Sequence, residues 1–248
     1  IVAIQGNIAA GKTSLMNVLE RWGYTVYREG LDEWGDLLER FYEKPERWSF
    51  TLQAAILMHM HGQHSAMRTN DIPAGIVFVE RSPQAAALFA RNSAAMGHMD
   101  AREEALLASI RERLTWSPNT TVYLDADADT CMRRLQQRAR RAEQKVSLSY
   151  LQRIGGLHLE AFGDEHRISS AFPPRKAAAA VLKHARVCRE RRQAQSHQPE
   201  IHDNGGDNAV QPVRLAFDVI HFDFGSADVT VPQISSNQIA AGPTGAAT

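Results

Sequence analysis

Gly6-Asn7-Ile8-Ala9-Ala10-Gly11-Lys12-Thr13 fits the pattern G-x-x-x-x-G-K-[ST] at every fixed position. Before it, residues 1–5 (IVAIQ) form a short β-branched run that stops at the first glycine, which predicts a buried parallel strand. After it, residues 12–22 carry Leu15, Val18 and Leu19 at helical spacing. A glycine-rich turn from strand to helix curls so that its N–H groups face inward and bind phosphate oxygens. The helix start adds positive dipole at the same place. In such a loop Lys12 would neutralise the β and γ phosphates of a nucleoside triphosphate, and Thr13 would ligate Mg²⁺. The plain alternative is a glycine-rich turn that happens to end in Lys-Thr, and the strand and helix on either side weigh against it. Even so, the loop speaks only of a phosphate donor. The acceptor has to be read from the rest of the chain.

Working outward, strand and helix patterns alternate. Residues 25–27 read as a second strand, followed by Arg28, Glu29 and Gly30. Leu37, Leu38 and Phe41 mark a helix that ends before Pro45, and residues 50–67 form a long apolar helix interrupted by Gln53. Residues 75–79 are the clearest strand, with Glu80-Arg81-Ser82 at its carboxyl end. Two helices over 85–95 and 101–114, a strand over 120–124, a basic helix over 129–141 and a helix over 149–162 follow. This order predicts an α/β fold: a P-loop-type parallel sheet with helices on both faces and a helical lid. Ligands of such sheets bind at the carboxyl ends of the strands. The chain divides into a domain over 1–170, a divergent part over 171–225 and a tail over 226–248. In the divergent part, residues 177–180 with 186–192 predict a helix, 193–211 a polar loop and 214–224 a last strand. The tail is rich in small residues and reads as disordered.

Lys plus Arg and Asp plus Glu each number 28 in 248 residues, so the formal net charge is zero. A global field that attracts nucleic acid or an anionic membrane is not expected. Cys131 and Cys188 are far apart and lack metal-ligand spacing, which points to a reducing, cytoplasmic setting. No apolar run reaches the roughly 20 residues that span a bilayer. Residues 1–5 already read as strand, so no signal peptide is in view, and a leader ahead of Ile1 stays open.

Several side chains at strand ends can carry chemistry. Glu29 is placed to take a proton from an attacking hydroxyl; read alone, a solvated loop residue is the better account of it. Glu80 can hold Mg²⁺ or its waters, and Arg81 can clamp Glu29 and an acceptor hydroxyl. A surface ion pair is the alternative, though a strongly apolar strand delivers this pair to the ligand edge. Arg133, Arg134, Arg138, Arg140 and Arg141 crowd one short stretch. Like charges at helical spacing repel, so a triphosphate under a closing lid would relieve them; the other readings are a solvated basic face or a nucleic-acid patch, and the neutral net charge weighs against the patch. Gln53, on an apolar helix, offers a donor and an acceptor side by side, which suits a pyrimidine edge. A partly exposed glutamine is as good an account of it alone.

Together these pieces resemble the deoxynucleoside kinase family, which includes the herpesvirus thymidine kinases. The resemblance runs from residue 1 to about 162. Glu29-Gly30-Leu31-Asp32-Glu33-Trp34 looks like the family's Glu-Pro-x-x-x-Trp element. Tyr42, Pro45, Trp48 and Gln53 are similar to its Tyr-x-x-Pro-x-x-Trp-x-x-x-x-Gln element. Glu80-Arg81-Ser82 matches its acidic-Arg-Ser element, and Arg134 through Arg138-Ala139-Arg140 to Glu143 resembles its lid. The resemblance implies ATP and Mg²⁺ as cofactors and a deoxynucleoside as partner, with Glu29, Lys12 and Arg81 catalytic. It implies Gly6 through Thr13, with Arg134, Arg138 and Arg140, for the donor phosphates. Thr13 and Glu80 would hold the metal. Glu29, Arg81, Tyr42 and Glu143 would bind the sugar, Gln53 would pair with the base, and Ile8, Trp34, Ile56, Met60 and Ala86 would line its slot.

Met60 and Ala86 stand where the family's deoxycytidine kinases place Arg and Asp, so the resemblance favours pyrimidines, thymidine first. It also implies a homodimer. Three departures stand out: Gly30 for the usual proline, Ala142 for a lid acid, and Ala90 where the family stacks an aromatic ring on the base. Phe89 lies next to that position. A nucleoside monophosphate kinase would need basic groups for an acceptor phosphate, and residues 50–56 offer Gln53 and apolar groups instead. A non-catalytic relative would be expected to have lost Lys12, Glu29 or Arg81, and all three are present.

Overall fold

A computed structural model of the chain describes residues 1–70, 72 and 75–196. The expected strand at 214–224, the tail after 225 and most of the polar loop lie outside these residues. Five parallel strands run in the order β2-β3-β1-β4-β5. They are β1 (Val2–Gln5), β2 (Thr25–Tyr27), β3 (Val77–Glu80), β4 (Thr120–Asp125) and β5 (His166–Ser169). The helices are α1 (Lys12–Arg21), α2 (Leu31–Glu43), α3 (Pro45–Thr69), α4 (Pro83–Ala95), α5 (Ala101–Leu114), α6 (Ala128–Arg138), α7 (Leu148–Phe162) and α8 (Pro174–Ser196). This is the P-loop type of parallel sheet with helices on both faces.

The two-residue period of each strand sorts its side chains between two cores. Val2, Ile4, Phe78, Val122 and Leu124 pack with Leu15 and Leu19 of α1, Leu135 of α6 and Val181 of α8. On the other face Ala3, Val77 and Val79 meet Met67 of α3 and Trp116, and Tyr123 meets Ala85 and Leu88 of α4 and Phe162 of α7. Strands buried on both faces read as continuous apolar runs, which is why β1, β3 and β4 are plain in the sequence.

The differences from expectation have local causes. β3 ends at Glu80, one residue later than the apolar run, because Glu80 continues the ladder opposite Ile4. α3 starts at Pro45, five residues before its apolar stripe, with proline at a first-turn position that needs no donor. α6 stops at Arg138, not 141: Ala139 turns left-handed at φ 49° and a tight turn at Arg141–Glu143 follows. β5 gave no alternating signal, since it is an edge strand in which only Ile168 is buried. α8 carries the expected helix on to Ser196, so residues 193–196 are helix rather than loop. Both cysteines are free thiols. Among the described residues no helix is long and apolar enough to cross a membrane.

Candidate functional site

At the carboxyl edge of the sheet lies a cavity of about 530 Å³. Every residue the sequence nominated for a site lines it, apart from Gly6 and Asn7, which brace its floor. Gly6 adopts φ 148°, and a Cβ there would meet the Leu124 carbonyl oxygen at 2.7 Å. Only glycine lets β1 and β4 approach this closely as the loop begins. Asn7 is buried; its Oδ1 accepts from the Ile8 N–H at 2.8 Å and its Nδ2 donates to the Leu151 carbonyl at 2.9 Å, tying the loop to α7.

Lys12 is 4% exposed, and its ammonium donates to the carbonyls of Gly6 (3.2 Å) and Asn7 (2.9 Å). Burial, then the nearby Arg81 charge, push it down to about 8. One residue on, the Thr13 hydroxyl donates to Glu80 Oε1 at 3.0 Å. Burial, then the Glu29 charge, push the Glu80 carboxyl up. A hydroxyl and a carboxylate oxygen side by side suit Mg²⁺, a hard cation that takes one or two protein oxygens and fills its shell with phosphates and water. The donor set therefore fits the ion.

Arg81 is the hub of the site. It follows β3 with φ 71°, an uncommon backbone for a non-glycine residue. Its own N–H donates to the Ile4 carbonyl at 3.1 Å, adding one rung to the β1 ladder. Its guanidinium donates from Nε to Glu29 Oε1 at 2.7 Å, and from Nη1 to the Gly6 carbonyl at 3.1 Å. Burial pushes the Glu29 carboxyl up, but the Arg81 and Lys12 charges outweigh it and hold Glu29 below the usual carboxylate range. Glu29 is thus an ionised carboxylate facing a cavity.

His158 was missed by the sequence reading. It is fully buried, and burial and then the Arg81 charge push it down to about 3, so the ring is neutral near pH 7. Its Nδ1 lies 2.9 Å from the Ile154 carbonyl, which can only accept, so Nδ1 holds the proton. Nε2 is then the acceptor, 3.1 Å from Arg81 Nη1. Phe89 closes the cage, with the guanidinium carbon 4.8 Å above its ring and His158 edge-on. The only sequence signal for His158 was a histidine on the apolar stripe of a helix, which usually marks packing.

Away from the P-loop the cavity walls turn apolar, from Trp34, Ile56, Met60 and Ala86. Four buried polar atoms on residues lining the cavity lack a hydrogen-bond partner among the described residues: Trp34 Nε1, Gln53 Oε1, Arg138 Nε and Glu143 Oε2. Buried polar atoms are nearly always paired, so four orphans around one cavity point to a polar ligand or water. Burial, then Tyr150 and Glu143, push the Tyr42 hydroxyl well above its usual range, leaving it a neutral donor. Phe89 lines this wall, whereas Ala90 faces the cluster between α3 and α5.

Among the lid arginines, Arg138 donates to Glu143 Oε1, with Arg140 3.9 Å from the same oxygen. Arg134 instead bridges two backbone carbonyls, Ala10 at 2.9 Å and Ser170 at 2.8 Å. It ties the P-loop to the β5–α8 turn, whose Ser170 and Phe172 also line the cavity. The sequence reading ended its pattern before that turn and did not foresee it.

Residues 2–180 match the deoxynucleoside kinase family. A frog virus 3 (isolate Goorha) protein provisionally named a deoxynucleoside kinase is 28% identical over 180 residues, covering 73% of this chain and 90% of that protein. Human deoxycytidine kinase is 29% identical over 192 residues, 63% of this chain and 73% of the enzyme. Human mitochondrial thymidine kinase 2 is 28% identical over 194 residues, 74% of this chain and 70% of the enzyme. A solved deoxyadenosine kinase from M. mycoides superposes with a TM-score of 0.66 at 15% identity, over 75% of this chain and 98% of that one.

Proposed function

Because the chain belongs to the deoxynucleoside kinase family, we propose that it moves the γ-phosphoryl of ATP to the 5′-hydroxyl of a pyrimidine deoxynucleoside, thymidine first. The observation that carries this is the Glu29–Arg81 pair, which closes the gap between the P-loop and the apolar slot. Glu29 accepts the proton of the 5′-hydroxyl, and Arg81 holds that oxygen beside Lys12. Three of the five Arg81 N–H groups go to Glu29, Gly6 and His158, which leaves Nη2 for the substrate. Thr13 and Glu80 would hold Mg²⁺, which would supply charge neutralisation of the donor phosphates. Arg138 and Arg140 sit where they can reach those phosphates once the lid closes. The rate then comes from positioning and fixed charge in a site closed to water.

Gln53 pairs with the base through its unsatisfied Oε1. An amide can turn to suit thymine or cytosine, so choice between them falls to the walls. Met60 and Ala86 put no charge near the exocyclic group at C4, which favours thymidine, and Phe89 supplies the aromatic face that position 90 lacks.

Purified chain with Mg-ATP and each of the four deoxynucleosides tests this. ADP release should depend on nucleoside and be fastest with thymidine. A preference for a purine would overturn the base assignment, and no nucleoside-dependent release would overturn the activity.

His158 acts through Arg81. A hydrogen bond to a charged group contributes about 1.5–3 kcal/mol, so His158→Ala should lower kcat by about 10- to 100-fold. His158→Gln, which can keep an acceptor near Nη1, should recover part of that. Because the imidazole is neutral throughout, it should add no limb to the kcat profile between pH 5 and 9. Full kcat in both variants would remove His158 from this role.

A further inference from the structure

Gly30 separates Glu29 from α2 and adopts φ 76°, in the left-handed region. His59 of α3 packs directly on its α-carbon. A Cβ at position 30 would fall 2.3 Å from both Nε2 and Cε1 of the imidazole. No side chain fits there while His59 keeps its place. A proline, fixed at φ of about −65°, fits neither the backbone nor the space. The departure from the family's Glu-Pro pattern and the imidazole of His59 therefore belong together.

The ring is anchored from its far side. His59 Nδ1 lies 2.8 Å from Glu33 Oε2, in the first turn of α2. One turn along α3, Gln63 Nε2 donates to the Arg28 carbonyl at 2.5 Å, and His59 Nε2 lies 3.5 Å from that carbonyl. His59 and Gln63 thus grip the backbone on both sides of Glu29, at the Arg28 carbonyl and the Gly30 α-carbon. The same helix carries Gln53, Ile56 and Met60 of the apolar slot.

We propose that His59, braced by Glu33, is a positioning residue that clasps the Glu29 turn to the acceptor helix, so that base pairing and 5′-hydroxyl deprotonation share one rigid frame. This rests on the deoxynucleoside kinase reading above. His59 does not line the cavity. It fixes the distance between the side chain that reads the base and the carboxylate that takes the proton. Misplacement by about 1 Å can cost about 100-fold in rate, so a partly released turn should cost about tenfold.

The test compares wild type with His59→Ala, Glu33→Gln, Gly30→Ala and the Gly30→Ala/His59→Ala double variant. It reads kcat, KM and Kd for the nucleoside, thermal midpoint, and amide hydrogen exchange over residues 28–34. Glu33 is 65% exposed at its side chain, so its replacement leaves the fold intact even if a His59 variant does not. His59→Ala should lose about tenfold in kcat with nucleoside Kd near wild type and faster exchange over 28–34. Glu33→Gln should lose less, in the same direction. Gly30→Ala should be the slowest single variant, and removing the imidazole should restore activity toward the His59→Ala level. Wild-type kcat in both His59→Ala and Glu33→Gln, or losses at 30 and 59 that simply multiply, would overturn the clasp. If wild type phosphorylates no deoxynucleoside, the reading of function fails instead. Exchange then decides the clasp, and unchanged exchange in His59→Ala overturns it.

Discussion

Glu29→Gln is expected to lower kcat by about 10²–10⁴-fold, the range for a positioned general base, while nucleoside affinity stays near wild type. The amide keeps the size and the hydrogen-bonding oxygen of the carboxylate, so Arg81 still has an acceptor and the slot keeps its shape. What is lost is the capacity to receive a proton. Because Arg81 and Lys12 hold Glu29 below the ordinary carboxylate range against its own burial, the wild-type base is already ionised at pH 7. The acid limb of kcat/KM should therefore lie below the usual glutamate value. As pH falls through the lowered value, Glu29 takes up a proton and activity is lost. Binding by calorimetry, set beside steady-state rates, separates the two effects. Turnover within tenfold of wild type would remove Glu29 as the base.

The Arg81 cage explains why so much of this site was legible and why a part was not. Lys12, Thr13, Glu29, Glu80 and Arg81 sit at the carboxyl ends of strands whose apolar runs stand out in the text. Topology alone brings such ends together. Gln53 was visible as a polar interruption in an apolar helix, and the structure leaves its oxygen without a partner. His158 and His59 could not be read in this way. Each lies on a helix, each works through another residue, and the contact that matters links positions far apart in sequence: 77 residues from Arg81 to His158, and 26 from Glu33 to His59. Periodicity reports which face of a helix is buried, not which partner a side chain meets.

The same limit shows at the edges of the fold. β1, β3 and β4 were plain because both of their faces are covered. β5 was silent because three of its four residues are exposed. The turn after β5, where Arg134 meets Ser170, was missed with it. Sequence spacing alone does not separate the five arginines of the basic stretch. Two backbone carbonyls hold Arg134 at the cavity, Arg138 and Arg140 gather at Glu143, and Arg133 donates to the Thr130 hydroxyl. Position 90 shows the converse. The family pattern places an aromatic ring there, whereas here Ala90 packs between α3 and α5 and Phe89 lines the cavity.

Lys12→Met should lose about 10²–10³-fold in kcat, the range for deleting one preorganised group aimed at developing transition-state charge. Methionine keeps most of the buried volume, so the thermal midpoint should hold or rise, since a charge no longer has to be buried. The wild-type lysine also predicts an alkaline limb. Burial and Arg81 bring it down to about 8, and the ammonium is the active form. Activity is therefore full below that pH and falls as pH rises through it. The limb belongs in kcat/KM for ATP, which reports the free enzyme. Bound phosphates favour the charged form, so kcat should hold to higher pH. The same shift acts on stability. Between about 8 and 10.5 the unfolded chain binds more protons than the folded one, so this group makes the ligand-free fold more stable as pH climbs through that window. ATP should flatten the gain by restoring the proton. An alkaline limb of kcat/KM that persists in the residual activity of Lys12→Met would assign the titration to another group.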